Sequence, residues 1–196
     1  MRPSWDDYFM RYAHLAATRA TCPRKHVGAV IVDKEHRVVS TGYNGSPPGV
    51  EQCDTVGCQM VDNHCVRTLH AESNALDYAG TWRTNRCTLY VTVTPCWDCA
   101  KRIIGGHFER VVYGEHYESR YGKSTDVPDY LGANGIIVER YPVDKLARIK
   151  QAVALFDMPI DVTATPPHGV PKIAPESCAV HRFVNDRCVM CGLVDD

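Results

Sequence analysis

The stretches His70-Ala71-Glu72 and Pro95-Cys96-Trp97-Asp98-Cys99 are the starting point for interpreting this chain. Their histidine and two cysteines are side chains that bind zinc, and three protein ligands leave one tetrahedral position open for water, as in catalytic zinc sites. Bound zinc lowers the pKa of water to about 7, and a neighbouring glutamate can move a proton from that water to a leaving amine. Together the two stretches predict a metal-dependent hydrolase.

The sequence around each stretch predicts the elements that bring these side chains together. Residues 71–79 have alanine and leucine at helical spacing, and residues 96–106 show a similar periodicity before a Gly-Gly stop. Residues 87–94 are rich in β-branched and aromatic side chains, which is typical of a strand. A redox-active pair, or half of a structural metal site, is the alternative for the two cysteines. The expected zinc ligands are His70, Cys96 and Cys99, with Glu72 as the acid/base.

The composition favours a soluble enzyme. The chain has 196 residues, 44% of them hydrophobic, which is enough for one core but short for two full domains. Its 22 Lys and Arg side chains are balanced by 23 Asp and Glu, so no strong basic field argues for nucleic-acid binding. Ten cysteines could indicate a disulfide-linked secreted protein, but residues 1–9 contain no apolar signal-peptide segment. We therefore expect a cytoplasmic protein whose thiols bind metals.

Periodicity along the rest of the chain predicts alternating helices and strands. Ser4 and Asp7 resemble a capping box at the start of an amphipathic helix. Two apolar segments on either side of the polar turn Lys34-Glu35-His36 predict a hairpin. The predicted elements are a helix over residues 4–20, strands 27–33, 37–43, 110–115 and 136–141, and a last helix over 143–156. This order predicts a three-layer α/β/α arrangement with the metal at helix ends.

Four longer blocks of the sequence are similar to one family. They are TCPRKHVGAVIV (residues 21–32), STGYNGSPPGV (40–50), CVRTLHAESNAL (65–76) and YVTVTPCWDCAKRII (90–104). Through these blocks the chain resembles the deoxycytidylate (dCMP) deaminases of phages and bacteria, over about residues 1–156. The HxE and PCxxC pair is shared by zinc deaminases in general, whereas GYNGxPxG combined with HAExNA is shared by the dCMP deaminases.

This resemblance implies a fold, a reaction and an assembly. The fold is cytidine-deaminase-like, α/β with a mixed five-stranded sheet, and the assembly is a homohexamer. The reaction is zinc-dependent hydrolysis of dCMP to dUMP and ammonia, which supplies dTMP synthesis; dCTP activates many members and dTTP inhibits them. Water activated by zinc adds to C4 of cytosine, while Glu72 protonates N3 and then the departing amino group. Mg²⁺ is expected to accompany a triphosphate effector.

The resemblance also implies contacts to nucleotides. The expected substrate-binding residues are Asn44 at the sugar, Ala71 at the base, and Tyr117 and Arg24 at the 5′-phosphate. An amide suits the sugar because it both donates and accepts hydrogen bonds. Asn44-Gly45 could instead be a plain turn, and Arg24 a solvated surface side chain. The expected effector-binding residues are Gly42, Tyr43 and Gly45, since glycine lets backbone approach a phosphate closely, although a plain turn also explains these glycines.

Four further cysteines and a histidine suggest a second metal site. Cysteines in the loops of an intracellular protein have few other roles, although some are buried simply as small apolar side chains. The favoured ligands are Cys22, Cys53, Cys58 and Cys65, with His64 as the alternative. We favour the four cysteines because the adjacent His64 and Cys65 would rarely both turn towards one ion. Cys87 is expected to pack in a strand.

The end of the chain departs from the resemblance. Residues 159–177 are rich in proline and follow neither a helix nor a strand period, so they predict a linker. Residues 178–196 contain Cys-x2-His and Cys-x2-Cys pairs typical of a zinc knuckle, which a metal would have to hold together because the segment cannot build a core. The expected ligands are Cys178, His181, Cys188 and Cys191. Residues 1–158 are the predicted deaminase domain.

More than one class of function remains open from the sequence alone. The leading hypothesis is a free-nucleotide deaminase with one catalytic and two structural zinc ions. Deamination of another cytosine or adenine substrate, as a nucleoside or in nucleic acid, is one alternative, and a non-catalytic zinc-stabilised binding protein is another. Glu72 favours an enzyme, because a scaffold needs no acid/base beside an open metal position. The near-neutral net charge argues against a nucleic-acid groove.

Overall fold

A mixed sheet lies at the centre of the protein. The computed structural model describes residues 2–62, 64–80, 84–117, 123 and 125–154, and the backbone of two short strands nearer the C-terminus. The sheet strands are β1 (Gly28–Val32), β2 (Val38–Tyr43), β5 (Thr88–Val93), β6 (Arg110–Glu115) and β7 (Ile137–Arg140), in the order β2-β1-β5-β6-β7. β1 is antiparallel to β2 and β5, whereas β5, β6 and β7 are parallel. The predicted mixed five-stranded sheet is confirmed.

Helices cover both faces of this sheet. They are α1 (Trp5–Ala17), α3 (Ala71–Ala79), α4 (Trp97–Gly105), α5 (Asp126–Ala133) and α6 (Val143–Ala154). α1 and α6 pack on one face, and α3, α4 and α5 lie on the other, each layer with its own cluster of buried apolar side chains. A short helix α2 (Cys53–Val56) and the two-residue strands β3 (Met60–Val61) and β4 (His64–Cys65) lie between β2 and α3. The three-layer fold is as predicted.

The first helix begins at the predicted cap, and an ion pair that the sequence did not predict joins it to the sheet. The Ser4 hydroxyl accepts a hydrogen bond from the Asp7 amide at 3.1 Å, which caps the helix. Both Nη atoms of Arg110 on β6 donate to the Asp6 carboxylate, at 2.7 and 2.8 Å. The helix ends at Ala17, earlier than predicted, because the amides of residues 18–20 bond to carbonyls three residues back in a tighter turn.

The sequence analysis did not predict helix α5. Pro128 and Gly132 interrupt its periodicity, but Pro128 lies in the first turn, where an amide has no acceptor within the helix. Because parallel strands need a crossover, the pairing of β6 with β7 requires such an element. The predicted succession of two strands was therefore incomplete at this point.

In the C-terminal part of the chain, the structure describes only the backbone of one two-stranded hairpin. The chain divides into two compact units, Met1–Met158 and Pro159–Asp196, and in the second unit β8 (Phe183–Val184) pairs antiparallel with β9 (Arg187–Cys188). The last two residues of the predicted final helix lie outside the described residues, and so do three of the predicted tail ligands, Cys178, His181 and Cys191. The tail zinc site therefore stays a prediction. Among the described helices, none is long and apolar enough to cross a membrane.

Candidate active site

The N-termini of α3 and α4 bring the two sequence stretches together. His70 is the N-cap residue of α3, and Glu72 lies in the first turn of that helix. Cys96 is the N-cap residue of α4, where its Sγ accepts a hydrogen bond from the Cys99 amide at 3.5 Å. Because a helix N-terminus carries partial positive charge, the thiolate form of Cys96 is favoured there, whereas the hydrogen bond with Cys96 and then burial raise the pKa of Cys99.

Three of these side chains have the spacing of a zinc site. Their ligand atoms all lie within 4.8 Å of one another: His70 Nδ1 is 3.2 Å from Cys96 Sγ and 3.6 Å from Cys99 Sγ. Zinc–nitrogen and zinc–sulfur bonds of about 2.0–2.3 Å at tetrahedral angles place ligand atoms roughly 3.4–3.8 Å apart. The spacing of His70, Cys96 and Cys99 is therefore suited to binding zinc. In a tetrahedral site, three protein ligands leave the fourth position for water or substrate.

The electrostatics of the cluster also suit a cation. Hydrogen bonds with Cys99 and then His70 lower the pKa of Cys96 to about 4, so this thiol is ionised at neutral pH. The hydrogen bond to Cys96 raises the pKa of His70 to about 9, because the thiolate stabilises the charged imidazole. A thiolate is the form of cysteine that binds zinc, and a bound Zn²⁺ would replace the proton on His70 as the positive partner.

Glu72 is buried next to this cluster. Its side chain is only 4% exposed, and loss of hydration raises its pKa to about 7. A carboxyl group whose pKa lies near neutrality can both accept and release a proton at physiological pH, which is what a general acid/base requires. The described geometry thus places a buried carboxyl group of raised pKa next to the candidate metal ligands.

A pocket opens over the cluster and includes every predicted substrate contact. It is lined by His70, Glu72 and Cys96 together with Asn44, Ala71, Tyr117 and Arg24. Arg24 is exposed, with its guanidinium 3.9 Å from Met60 Sδ, and Tyr117 is half-exposed. Ala71 is fully buried and lines the pocket. These positions are compatible with the expected contacts, which remain predictions.

The side-chain carboxamide of Asn44 forms two hydrogen bonds with the backbone. Its Oδ1 accepts from the Val27 amide at 2.7 Å, and its Nδ2 donates to the Lys25 carbonyl at 2.8 Å. A carboxamide has two donor hydrogens and two acceptor lone pairs, so one of each is left for another partner. Asn44 therefore holds the loop before β1 in place, whether or not it also binds a sugar.

Sequence reasoning missed several residues of the pocket wall, Lys25 and Thr94 among them. The Lys25 ammonium lies 3.2 Å from Glu115 Oε2, so the end of β6 positions it. Thr94 donates its hydroxyl to the Glu115 carbonyl at 3.0 Å and accepts from the Tyr117 amide at 3.2 Å. Both residues lie within sequence blocks that carry the family resemblance, but neither was predicted as a site residue.

A second group of metal-binding side chains lies beside the same pocket. The ligand atoms of Cys53, Cys58 and Cys65 are within 4.8 Å of one another, and Cys53 Sγ is 3.8 Å from Cys65 Sγ, which matches a tetrahedral site. Cys22, the fourth predicted ligand, is buried near Cys58 but is not among the three cysteines whose ligand atoms all lie within 4.8 Å of one another. His64 is not in this group: it lines the pocket, with its ring centroid 6.0 Å from that of His70.

The three predicted effector residues lie at the end of β2. A Cβ atom on Gly42 would come within 2.1 Å of the Ala71 carbonyl oxygen, so this glycine is required for packing β2 against α3. The Gly45 amide donates to the Leu69 carbonyl at 3.2 Å, whereas the Tyr43 side chain is exposed. Close packing alone therefore explains why residue 42 is a glycine.

Cys87 was expected to pack in a strand. It is buried directly before β5.

Comparison with known proteins identifies the family. The family described as "Cytidine and deoxycytidylate deaminase zinc-binding region" matches residues 3–115. The chain is also 40% identical over 148 residues to "ComE operon protein 2" of Bacillus subtilis, covering 74% of this chain and 75% of that protein. The chain belongs to the cytidine and deoxycytidylate deaminase zinc-binding family. Family and ligand geometry together support Zn²⁺ as its metal.

More specific relatives carry the name deoxycytidylate deaminase. One from Saccharomyces cerevisiae is 44% identical over 124 residues, covering 60% of this chain but only 39% of the yeast protein. One from Mycobacterium phage D29 is 42% identical over 124 residues, covering 57% of this chain and 95% of the phage protein. The solved dCMP deaminase of cyanophage S-TIM5, in complex with dCMP and dUMP, is 31% identical with a TM-score of 0.60, covering 72% of this chain and 99% of that one.

Proposed function

We propose that this chain hydrolyses dCMP to dUMP and ammonia with zinc as cofactor, and that it serves the supply of dTMP. The observation that carries the proposal is the buried Glu72 beside the convergent ligand atoms of His70, Cys96 and Cys99. Two relatives that this chain spans almost completely, from phage D29 and cyanophage S-TIM5, are named as dCMP deaminases. Their similarity supports the substrate, and the site supports the chemistry.

His70, Cys96 and Cys99 would hold a zinc ion, which would lower the pKa of water and so supply the nucleophile. Glu72 accepts a proton from the attacking water and delivers it to N3 of the cytosine ring as the water oxygen adds to C4. Glu72 then carries the remaining proton from that oxygen to the amino group, which leaves as ammonia while the C4 carbonyl forms. Both transfers need one carboxyl group that is protonated about as easily as it is deprotonated, as Glu72 is.

The pocket walls orient the nucleotide in this proposal. Ala71 leaves room for the base, and Asn44 uses its spare donor and acceptor at the sugar. Arg24 and Tyr117 meet the 5′-phosphate at the open side of the pocket. Lys25, whose ammonium is paired with Glu115, lines the same pocket.

The substrate is tested by an ammonia-release assay on the zinc-loaded protein. The assay compares dCMP, dCTP, deoxycytidine, cytosine and a cytosine-containing oligonucleotide at equal concentrations. We expect kcat/KM for dCMP to exceed that for deoxycytidine by at least tenfold, because a charge-assisted hydrogen bond to phosphate contributes about 1.5–3 kcal/mol. Faster deamination of the nucleoside or of the oligonucleotide would contradict the proposal.

Two further zinc ions complete the proposed metal content. Cys22, Cys53, Cys58 and Cys65 hold one of them, supported by the spacing of the last three and by Cys22 beside Cys58. Cys178, His181, Cys188 and Cys191 hold the other, supported by the twin spacing in the sequence. Both ions are structural, because each has four protein ligands and no open position.

Regulation and assembly form the last part of the proposal. A homohexamer responds to dCTP as activator and to dTTP as inhibitor, with Mg²⁺ accompanying the triphosphate, and Gly42, Tyr43 and Gly45 lie at the effector site. The support is the family resemblance and, on the molecule, the exposed Tyr43 ring. An effector must bind two states of the assembly with different affinity, so dCTP should shift a sigmoidal dCMP curve to lower concentration. A monomer with a hyperbolic curve that neither triphosphate changes would contradict this.

A further inference from the structure

A threonine side chain joins the ends of two parallel strands at the candidate active pocket. Thr94 directly follows β5 and precedes Pro95, and Tyr117 lies two residues beyond the end of β6. Both residues line the pocket; Thr94 is 5% exposed, whereas Tyr117 is 37% exposed. The position of Tyr117 in the pocket wall therefore depends on what holds the chain after β6.

The regular hydrogen bonding between β5 and β6 ends at this point. Val93 pairs with Glu115, and the Thr94 amide donates to the Glu115 carbonyl at 2.8 Å. If this parallel pairing continued, the Tyr117 amide would donate to the Thr94 carbonyl. It donates instead to the Thr94 hydroxyl, at 3.2 Å. The Thr94 side chain thus replaces the backbone acceptor where the strand pairing stops.

The orientation of this hydroxyl is set by a second hydrogen bond. A hydroxyl has one hydrogen to donate and two lone pairs that accept. The Thr94 hydrogen is donated to the Glu115 carbonyl at 3.0 Å, which leaves a lone pair for the Tyr117 amide. Replacing the hydroxyl with a methyl group, in Thr94→Val, would remove the bond to Tyr117. The bond from the Thr94 amide to Glu115 would remain, because it belongs to the backbone.

We propose that Thr94 is a positioning residue of the candidate active site, whose hydroxyl holds Tyr117 at the pocket wall and so raises the affinity for the nucleotide. The inference rests on the proposed function, in which Tyr117 meets the 5′-phosphate. A contact residue that is already held in place loses less conformational entropy when the ligand binds. Because Thr94 acts through Tyr117, it affects binding of the nucleotide and not the chemical step.

The bond to Tyr117 is tested without substrate, by hydrogen exchange of the Tyr117 amide. The zinc-loaded full chain is labelled with ¹⁵N-tyrosine for NMR, and Tyr117→Phe identifies the signal. We expect this amide to exchange about three- to tenfold faster in Thr94→Val than in the wild type, because its acceptor is lost. Thr94→Ser, which keeps the hydroxyl, should restore the slower exchange. Unchanged exchange in Thr94→Val would overturn the proposal.

The effect on binding is tested by kinetics with dCMP. Thr94→Val should raise KM about three- to tenfold and leave kcat within about twofold, and Thr94→Ser should restore KM. The matched control is Thr92→Val, because Thr92 is also buried and its hydroxyl accepts from the Gly28 amide, at 3.1 Å, away from the candidate active pocket. Elemental analysis and a urea transition check the zinc content and folding of each variant.

The control separates the positioning role from a general loss of stability. Equal KM values in Thr94→Val and Thr92→Val would overturn the role of Thr94 in binding. A wild type that does not act on dCMP would refute the proposed reaction. That outcome is distinct from the exchange result, which needs no substrate.

Discussion

The side chain of Asn44 joins two segments that border the candidate active pocket. It follows β2, and both of its hydrogen bonds go to the backbone of the loop before β1. Sequence reasoning gave Asn44 two possible roles, a sugar contact and a plain turn residue. The structure adds a third role, which is to hold the pocket loop, and the spare donor and acceptor keep the sugar contact possible.

Replacing Asn44 with Ala should therefore lower stability even without nucleotide. The side chain is buried, and its loss leaves the Val27 amide and the Lys25 carbonyl without these partners. We expect the free energy of unfolding to fall by about 1–3 kcal/mol in urea denaturation. Asn134→Ala is the control, because that exposed asparagine also donates to a carbonyl, at 2.8 Å, and should cost less. A variant as stable as the wild type but with raised KM would identify Asn44 as a substrate contact only.

His14 should make stability depend on pH. Its pKa is about 4 in the folded protein and about 6.5 in an unfolded chain, so between these values the unfolded chain binds a proton that the folded protein does not. Stability is therefore complete above pH 6.5 and falls as the pH drops towards 4. The loss from this group should reach about 2 kcal/mol at pH 5.

The His14 effect is measured as a difference between the wild type and His14→Gln. Urea denaturation of both proteins at pH 7.5 and pH 5, in buffers without phosphate, cancels the contribution of the zinc ligands. The stability advantage of the wild type should shrink by about 2 kcal/mol on acidification. An advantage that does not change with pH would show that His14 does not titrate as described.

The sequence was sufficient to predict the position of a residue where the pattern of adjacent residues indicates a helix or strand. His70 and Glu72 start one helix, and Cys96 and Cys99 start another, so local periodicity was enough to place each pair. Lys25 could not be predicted in this way. Its position depends on Glu115, which is distant in the sequence and comes close only when β6 takes its place in the sheet.

At the scale of elements, the contact between β2 and α3 determines where the candidate site lies. Gly42 of β2 touches the backbone of α3, where an added Cβ would lie 2.1 Å from the Ala71 oxygen and 2.5 Å from the Ala75 nitrogen. Backbone atoms cannot move aside as a flexible side chain can. Because His70 caps α3 and Glu72 lies in its first turn, any displacement of this helix also moves the candidate metal ligand and the candidate acid/base.

Gly42→Ala should therefore reduce both stability and activity. We expect the free energy of unfolding to fall by about 1–3 kcal/mol or more, since overpacking against backbone forces a shift. Gly132→Ala in α5 is the matched control: nothing lies within 4 Å of its added Cβ, and alanine should stabilise the helix by about 0.5–1 kcal/mol. Urea denaturation measures both variants. Equal stability of the two would refute the packing role of Gly42.

Helices and strands with a clear apolar periodicity were predicted from the sequence, and those without one were missed. The β1–β2 hairpin and α1 have strong patterns and were found close to their observed bounds. Helix α5 was missed because Pro128 and Gly132 hide its pattern, although the parallel pairing of β6 with β7 implies a crossover. The short α2 has no apolar period at all, since its only buried residue is Cys53.

At the scale of the whole molecule, we predict the number of bound zinc ions. Purified full-length protein should contain close to three zinc ions per chain by elemental analysis. Replacing Cys188 and Cys191 together with Ser should remove one ion and leave the catalytic one, because the tail ligands lie in the second compact unit of the chain. A measured content of one zinc ion per chain, in intact protein purified without chelators, would refute both accessory sites.

Comparing the wild type with Glu72→Gln tests whether zinc and Glu72 together deaminate dCMP. Both proteins are loaded with one zinc ion at the catalytic site, as verified by elemental analysis, and dUMP and ammonia are measured with saturating dCMP. A proton carrier contributes about 10²–10⁴-fold, so we expect kcat to fall at least a hundredfold while zinc content and the unfolding transition persist. A zinc-loaded Glu72→Gln protein that keeps more than about a tenth of the wild-type rate, or a wild type that forms no dUMP, would contradict the account.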